Sequence, residues 1–129
     1  MKESIDIYDF SEKTILIAED VETSNQYFKA ALSKTKSNLL WAKNGEEAIK
    51  LFENNTVDLI LMDIHMPKMN GFDATRRIKE IDKTVPIIMQ TAYILSGEEE
   101  MSFEAGCDEF IPKPIKFKNL LSLVNKYLA

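Results

Sequence analysis

Hydrophobic residues form five short apolar runs along the chain, and these runs alternate with segments in which apolar residues recur every three or four positions. Short runs bounded by polar residues indicate strands, whereas the wider spacing indicates helices with one buried face. The predicted strands cover 13–18, 39–42, 57–62, 87–90 and 109–111. The predicted helices cover 23–34, 46–54, 71–81, 98–105 and 117–128.

The strict alternation of strands and helices predicts right-handed crossovers and a parallel sheet with helices on both faces. The expected fold is α/β and flavodoxin-like: a doubly wound five-stranded parallel sheet in the order 2-1-3-4-5, which forms a three-layer sandwich with five helices. The run 57–62 is apolar apart from Asp58, as expected for a central strand buried on both faces. Residues 13–129 are predicted to form the domain, and residues 1–12 a leader that is a candidate flexible segment.

Reactive side chains follow four of the five predicted strands. Glu19 and Asp20 follow the first strand, Asp63 the third, Thr91 the fourth and Lys113 the fifth. In a parallel sheet the carboxyl ends of these strands lie at one edge, with neighbouring strands about 4.8 Å apart. We therefore expect the five side chains to share one pocket, near the switch point between the first and third strands.

Three carboxylates in one pocket repel one another, so positive charge has to offset them. Lys113 supplies one such charge, and a hard divalent cation supplies the other. Mg²⁺ fits a site of carboxylates, waters and phosphate oxygens, with Mn²⁺ as a substitute ion. The predicted ligands are Asp20 and Asp63, Glu19 directly or through a water, and the backbone carbonyl of His65.

The position of Asp63 also predicts a chemical role. A carboxylate beside a cation and a lysine can attack a phosphoryl group and become an aspartyl phosphate. The Thr91 hydroxyl and the Lys113 ammonium would then neutralise the phosphoryl oxygens. The small side chain of Ala92 leaves room for a phosphodonor to approach.

Four motifs carry a resemblance to a known family. They are AED at 18–20, MDIHMPKMNG at 62–71, QTAY at 90–93 and KPI at 113–115. In this order, and on these elements, they resemble the response-regulator receiver domain of two-component signalling, over residues 13–129. The MPKMNG segment and the EDVETSNQ segment look most like the receivers of hybrid histidine kinases.

The resemblance implies a role for each matched residue: Asp63 as phosphoacceptor, Glu19 and Asp20 as the metal-binding acidic pair, Thr91 and Lys113 as catalytic and switch residues, and Tyr93 as an aromatic ring that swings inward on phosphorylation. It also implies a cis peptide bond before Pro114. Phosphorylation is expected to change the surface formed by the fourth helix, the fifth strand and the fifth helix.

The expected function is that of a phosphorelay protein, with a histidine kinase or a histidine phosphotransfer protein as its partner. Such a receiver catalyses its own phosphorylation and a slow autodephosphorylation, so it is not expected to be an enzyme in the usual sense. The sequence leaves open whether it is the receiver of a hybrid histidine kinase or a single-domain response regulator. The oligomeric state is also left open.

Composition narrows the possible partners. The chain has 129 residues, a net charge of −5 and a pI of about 4.9, which argues against direct nucleic-acid binding. The single cysteine, Cys107, rules out an internal disulfide, and no apolar run in the sequence is long enough for a membrane span. A cytoplasmic protein without a direct membrane partner is therefore expected.

Three other functions are compatible with parts of this pattern. A pseudo-receiver would use the same fold as a docking module without phosphorylation. An aspartate-nucleophile phosphatase has a second Asp two residues after its nucleophile, where this chain has His65, and its nucleophile follows the first strand. A flavin carrier needs a phosphate loop rich in Ser, Thr and Gly, whereas residues 19–22 are Glu, Asp, Val and Glu.

The sequence also predicts the environments of individual side chains. Thr23 and Ser24 are expected to cap the first helix. Apolar spacing places Tyr27 and Ile81 on the inner faces of their helices. Solvent exposure is expected for the side chains of His65, Lys79 and the glutamates at 98–100.

Overall fold

A parallel five-stranded sheet runs through the computed structural model, which describes residues 9–92 and 96–129. Its strands are β1 (Thr14–Ala18), β2 (Asn38–Ala42), β3 (Leu59–Asp63), β4 (Ile87–Thr91) and β5 (Glu109–Pro112). The helices are α1 (Glu22–Leu32), α2 (Gly45–Asn54), α3 (Gly71–Ile81), α4 (Glu98–Ala105) and α5 (Phe117–Leu128). The strand order is β2-β1-β3-β4-β5, so the predicted flavodoxin-like fold is confirmed.

Two apolar clusters fill the space between the sheet and its helices. Because successive strand residues point to opposite faces, Ile15 and Ile17 of β1 join one cluster whereas Leu16 and Ala18 join the other. Helices α1 and α5 cover the first face, and α2, α3 and α4 cover the second. The three-layer arrangement follows from this division.

Strand β3 lies at the centre of the sheet, between β1 and β4, and all its residues are buried. Its position explains why the apolar run in the sequence does not alternate with polar residues. The strand ends in Asp63, so a fully buried strand delivers a carboxylate to the edge of the sheet.

Helices α2 and α3 begin with asparagine caps. The side chain of Asn44 accepts a hydrogen bond from Glu47 N, and Asn70 accepts one from Asp73 N, each at 2.9 Å. Helix α1 begins differently, because its cap position is Val21, which has no side-chain acceptor. The prediction that Thr23 and Ser24 cap α1 is therefore wrong, since the helix starts early enough to place both inside its first turn.

Helix α4 buries polar residues and exposes large apolar ones, the reverse of the pattern expected for a surface helix. Its buried residues are Glu98, Ser102 and Ala105, whereas Met101 and Phe103 are 41% and 48% exposed. The predicted solvated face at 98–100 is therefore wrong for Glu98. The helix starts after Gly97 and stops at Gly106, both of which have positive φ angles, and the predicted C-terminal role of Gly106 is confirmed.

Three other helical side chains differ from prediction. Ile81 and Tyr27 are both exposed, although the Tyr27 hydroxyl donates to Ile115 O at 2.6 Å. Lys79 was expected in solvent, but its Nζ donates to Val85 O at 2.6 Å and pairs with Asp108 Oδ2 at 3.0 Å. The Val85 carbonyl and the Asp108 carboxylate therefore draw this side chain inward.

Among residues 9–92 and 96–129, no helix combines the length and the apolar character that crossing a bilayer requires.

Candidate functional site

Strands β1 and β3 bring three acidic residues together at one edge of the sheet. Ala18 pairs with Met62 in parallel register, so Glu19 and Asp63 follow side by side. One carboxylate oxygen from each of Glu19, Asp20 and Asp63 lies within 4.8 Å of the other two. Glu19 and Asp63 are buried, whereas Asp20 is exposed. The pocket therefore has two inner carboxylates and one at its mouth.

Lys113 reaches these acids from the end of β5, the outermost strand beside β4. Its backbone N donates to Thr91 O at 2.8 Å, which fixes the residue just beyond the end of β5. Its Nζ forms an ion pair with Glu19 Oε1 and lies 3.7 Å from Asp63 Oδ2. The following peptide bond to Pro114 is cis, as the family resemblance implied. One ammonium group therefore neutralises part of the charge of two buried carboxylates.

The pKa of the Asp63 carboxyl group is raised from its ordinary value of 3.8 to about 7. Burial is the largest cause, because it disfavours the charged form, and the nearby charge of Glu19 acts in the same direction. Lys113 acts in the opposite direction and favours ionisation. An added cation would favour the ionised form further.

The loop after Asp63 is held close to the sheet. Ile64 N donates to Gln90 O at 3.1 Å, and Gly71 N donates to Ile64 O at 2.8 Å. A Cβ atom at Gly71 would lie 2.2 Å from Asp63 O, so only glycine fits there without a shift of the backbone. The glycine of the MDIHMPKMNG motif thus packs the start of α3 against the end of β3.

Thr91 and Ala92 complete the described edge. Thr91 ends β4 one residue after Gln90, which pairs with Asp63 in register, and its side chain is buried. Ala92 is exposed and lines a cleft of about 720 Å³ that is also lined by Lys113 and by residues at the start of α1. Tyr93 lies outside the described residues.

The His65 side chain is exposed, as predicted, but it also makes a contact that the sequence did not predict. Its Nε2 lies 3.0 Å from Glu98 Oε2, so its side chain contacts the start of α4 as well as the solvent. The neighbourhood of Glu19 also contains a residue that sequence reasoning did not assign to the site: Trp41 Nε1 donates to the Glu19 backbone O at 2.6 Å. No local motif signals either contact, because the partners come from distant segments.

The donor atoms of this pocket suit a hard divalent cation. Its three carboxylates provide only oxygen ligands, and two of them are buried in a position where uncompensated charge is costly. Oxygen ligands of this kind, with open positions for water or phosphate oxygens, are those that Mg²⁺ prefers. The residues present therefore fit the predicted ion.

The sequence model of the response regulator receiver domain matches residues 15–125. The chain belongs to the response-regulator receiver family. The predicted family is thereby confirmed, and with it a role in two-component signalling. This is a signalling family rather than a family of classical enzymes.

Relatives of this receiver include proteins of very different lengths. It is 32% identical over 119 residues to the polar-differentiation response regulator DivK of Brucella anthropi, covering 91% of this chain and 97% of DivK. It is 39% identical over 116 residues to the autoinducer 1 sensor kinase/phosphatase LuxN of Vibrio harveyi, covering 89% of this chain but only 13% of LuxN. The receiver is thus related both to a regulator of its own size and to a small part of a sensor kinase.

Solved structures show the same fold. A CheY-like receiver domain protein from Methanospirillum hungatei superposes with a TM-score of 0.85 at 28% identity, covering 90% of this chain and 93% of that one. The receiver domain of a signal transduction histidine kinase from Syntrophus aciditrophicus gives a TM-score of 0.83 at 34% identity, covering 90% and 89%.

Replacing one buried amide of the receiver should raise its stability measurably. Gln90 is fully buried, and its Nε2 and Oε1 have no hydrogen-bond partner within the part of the chain that the structure describes. A buried amide without partners costs about 1–3 kcal/mol. Gln90→Met keeps the side-chain length and removes the amide, so we expect the free energy of unfolding in urea to rise by about that amount.

Gln26→Met is the matched control, because it makes the same replacement at an exposed position of α1. Its unfolding curve should coincide with that of the unmodified receiver. A lower stability of Gln90→Met would show that the amide is satisfied in solution.

Proposed function

We propose that this receiver takes a phosphoryl group from a phosphohistidine onto Asp63 in a Mg²⁺-dependent reaction. The observation that carries the proposal is the geometry around one buried carboxylate: Asp63 shares a pocket with Glu19 and Asp20, and Lys113 Nζ lies 3.7 Å from its Oδ2. The partner that supplies the phosphoryl group would be a histidine kinase or a histidine phosphotransfer protein, in the cytoplasm.

The transfer is a displacement at phosphorus. An ionised oxygen of Asp63 forms a bond to phosphorus while the P–N bond of the phosphohistidine breaks, and the electron pair of that bond returns to the imidazole, which takes up a proton. Autodephosphorylation is the attack of water on the same phosphorus: the P–O bond to Asp63 breaks, its electron pair returns to the carboxylate, and the water proton passes to solvent.

The residues of the pocket have separate tasks in this reaction. Glu19, Asp20 and Asp63, with the backbone carbonyl of His65, would hold Mg²⁺. When bound, Mg²⁺ would supply positive charge for the oxygens of the transferring group. Lys113 would supply a second positive charge, and the Thr91 hydroxyl would donate to a phosphoryl oxygen.

The cleft beside Lys113 is the proposed approach of the donor. It runs from Lys113 and Ala92 to Thr23 and Tyr27 on α1, and these residues leave a volume of about 720 Å³. A donor imidazole has to come close to the acidic pocket without meeting a large side chain. The alanine after Thr91 provides that space on one wall of the cleft.

Phosphorylation is proposed to be read out as a population shift. The phosphate draws the Thr91 hydroxyl toward Asp63, Tyr93 turns inward, and the surface of α4, β5 and α5 changes its packing. The reaction is the same whether the receiver acts alone or within a hybrid kinase.

Incubation with acetyl phosphate and Mg²⁺ tests the proposal directly. The intact protein should gain the mass of one phosphoryl group, located on Asp63 after proteolysis. Beryllofluoride with Mg²⁺ should bind at the same place and shift the amide NMR signals around the pocket. No mass gain and no shifts would favour the pseudo-receiver reading, in which the fold acts only as a docking module.

Lys113→Ala should slow the phosphorylation without abolishing Mg²⁺ binding. Loss of one preorganised positive group at a transferring phosphoryl costs about 10²–10³-fold in rate, and the three carboxylates remain. The rate can be followed by mass spectrometry with acetyl phosphate.

Lys116→Ala is the control for this change, because Lys116 lines the same cleft but is exposed. A rate for Lys113→Ala equal to that of Lys116→Ala would exclude Lys113 from the transfer.

A further inference from the structure

A pair of side chains outside the proposed chemistry links the loop after Asp63 to the start of α4. His65 Nε2 lies 3.0 Å from Glu98 Oε2. The Glu98 side chain is only 8% exposed, whereas that of His65 is 45% exposed. A carboxylate so nearly buried needs polar partners, and His65 is one of them.

Both ends of this link are anchored. On the loop side, the residue before His65 is fixed by the hydrogen bond from Ile64 N to Gln90 O. On the helix side, Ser102 Oγ donates to Glu98 O at 2.9 Å, and Met101 N donates to Gly97 O at 2.9 Å. The pair therefore joins two segments that are each held by the rest of the fold.

The contact with His65 also bears on how α4 begins. Gly97 precedes the helix in a left-handed conformation, with φ +83°, and provides no side chain to cap it. Glu98 is the first helical residue, and its carboxylate is turned toward the loop rather than toward the solvent. Its position within the fold is thus set partly by His65.

We propose that Glu98 is a positioning residue for ion binding and phosphoryl transfer: it holds the His65 side chain and thereby fixes the backbone carbonyl of His65 as a ligand. The inference rests on the proposed function of Asp63. Groups that orient a metal ligand from behind commonly control the affinity for the metal. Since the same carboxylate belongs to α4, ion binding and the position of α4 must influence each other reciprocally.

Glu98→Ala in the full chain tests the inference with MgCl₂ as the probe. The titration is followed by amide NMR shifts in the loop 64–66 and in the first turn of α4. We expect the dissociation constant for Mg²⁺ to rise about three- to tenfold, less than for a contact made directly to a ligand group, because the lost contact reaches the carbonyl only through the His65 side chain. We also expect the amides of residues 98–101 to lose their response to Mg²⁺.

Glu99→Ala is the matched control. It removes the same charge from the same helical turn, but Glu99 is exposed. It should leave both the affinity and the response of α4 unchanged. Glu98→Gln keeps an acceptor oxygen for His65 and should restore most of the affinity, which separates the hydrogen bond from the charge.

A double-mutant cycle with His65→Ala shows whether the effect passes through the pair. In the His65→Ala background, Glu98→Ala should cause no further loss of affinity. If the two losses add, Glu98 acts by another route and the inference is overturned. If Glu98→Ala does not fold, His65→Ala alone tests the inference, because it changes only a half-exposed side chain. It should reproduce both the weaker affinity for Mg²⁺ and the lost response of residues 98–101.

The outcomes distinguish this inference from the function on which it rests. A wild-type receiver that neither binds Mg²⁺ nor takes a phosphoryl group would contradict the proposed function. A wild-type receiver that does both, with Glu98→Ala identical to Glu99→Ala, would overturn only the role of Glu98.

Discussion

Asp63→Asn should abolish phosphorylation by acetyl phosphate while leaving the fold unchanged. The amide has nearly the same shape as the carboxylate, but it has no ionised oxygen to attack phosphorus. Because Glu19 is engaged in the closer ion pair with Lys113 and Asp20 is exposed at the mouth of the pocket, neither neighbour should replace Asp63 efficiently. The expected mass spectrum shows no phosphoryl adduct under conditions that modify the wild type completely.

Asp73→Asn is the control for this experiment. Asp73 is an exposed carboxylate on α3 that pairs with Arg76, so its loss removes one charge without touching the pocket. This variant should be phosphorylated at the wild-type rate. An adduct on Asp63→Asn at that same rate would place the phosphoacceptor elsewhere and contradict the proposed chemistry.

Without divalent ions, the contribution of Asp63 to the stability of the receiver should fall as the pH rises from about 4 to about 7. The pKa of Asp63 is 3.8 in ordinary surroundings and about 7 in the folded protein. Over this interval the unfolded chain releases the proton while the folded chain keeps it, so a higher pH favours unfolding. Each pH unit changes the balance by about 1.4 kcal/mol, which over this interval gives a loss on the order of 4 kcal/mol. Above pH 7 the Asp63 carboxyl group also ionises in the folded protein, so its contribution to stability stops falling.

Asp63→Asn isolates this contribution, because the amide does not titrate. The free energy of unfolding of both proteins can be measured in urea and EDTA at intervals from pH 4 to pH 8. As the pH rises, that of the variant should increase relative to that of the wild type. The difference between the two should be smallest at pH 4, close to the ordinary pKa of 3.8, where the unfolded wild-type chain is only about half ionised at this residue. Parallel pH profiles would mean that Asp63 ionises normally in the folded protein.

Mg²⁺ should then reduce this difference in stability near pH 7. An ion that binds only the folded state stabilises it in proportion to the logarithm of the ratio of its concentration to the dissociation constant. The wild type should gain more stability than Asp63→Asn, since the variant lacks one of the proposed ligands. Equal gains would place the ion at another site.

The raised pKa and the proposed reactivity have one physical origin. Burial makes the Asp63 carboxylate costly to ionise, and the same burial strengthens its interaction with any positive charge that enters the pocket. The receiver thus gives up stability at neutral pH in order to hold acidic groups where an ion and a phosphoryl group can use them.

The sequence by itself determined the fold and the composition of the pocket. Four of the five strands end in, or are followed by, a reactive polar residue. In a parallel sheet all such ends lie at one edge, so the proximity of Glu19, Asp20 and Asp63 follows from topology once the strands are identified. The starts of α2 and α3 could be located by Asn44 and Asn70, because their caps bind backbone groups only three residues away. These predictions depend on interactions that are local or fixed by strand order.

Only the tertiary structure decided the environments of Glu98, Lys79 and Gln90. Local sequence makes Glu98 the first of three glutamates at a helix start, yet its carboxylate is buried against a histidine from a loop more than thirty positions earlier. Lys79 is drawn inward by Asp108, and Gln90 stands as a buried polar residue in an apolar strand. The physical reason is the same in each case: a polar side chain takes the environment set by the groups that packing brings to it, and those groups come from segments that no local pattern connects.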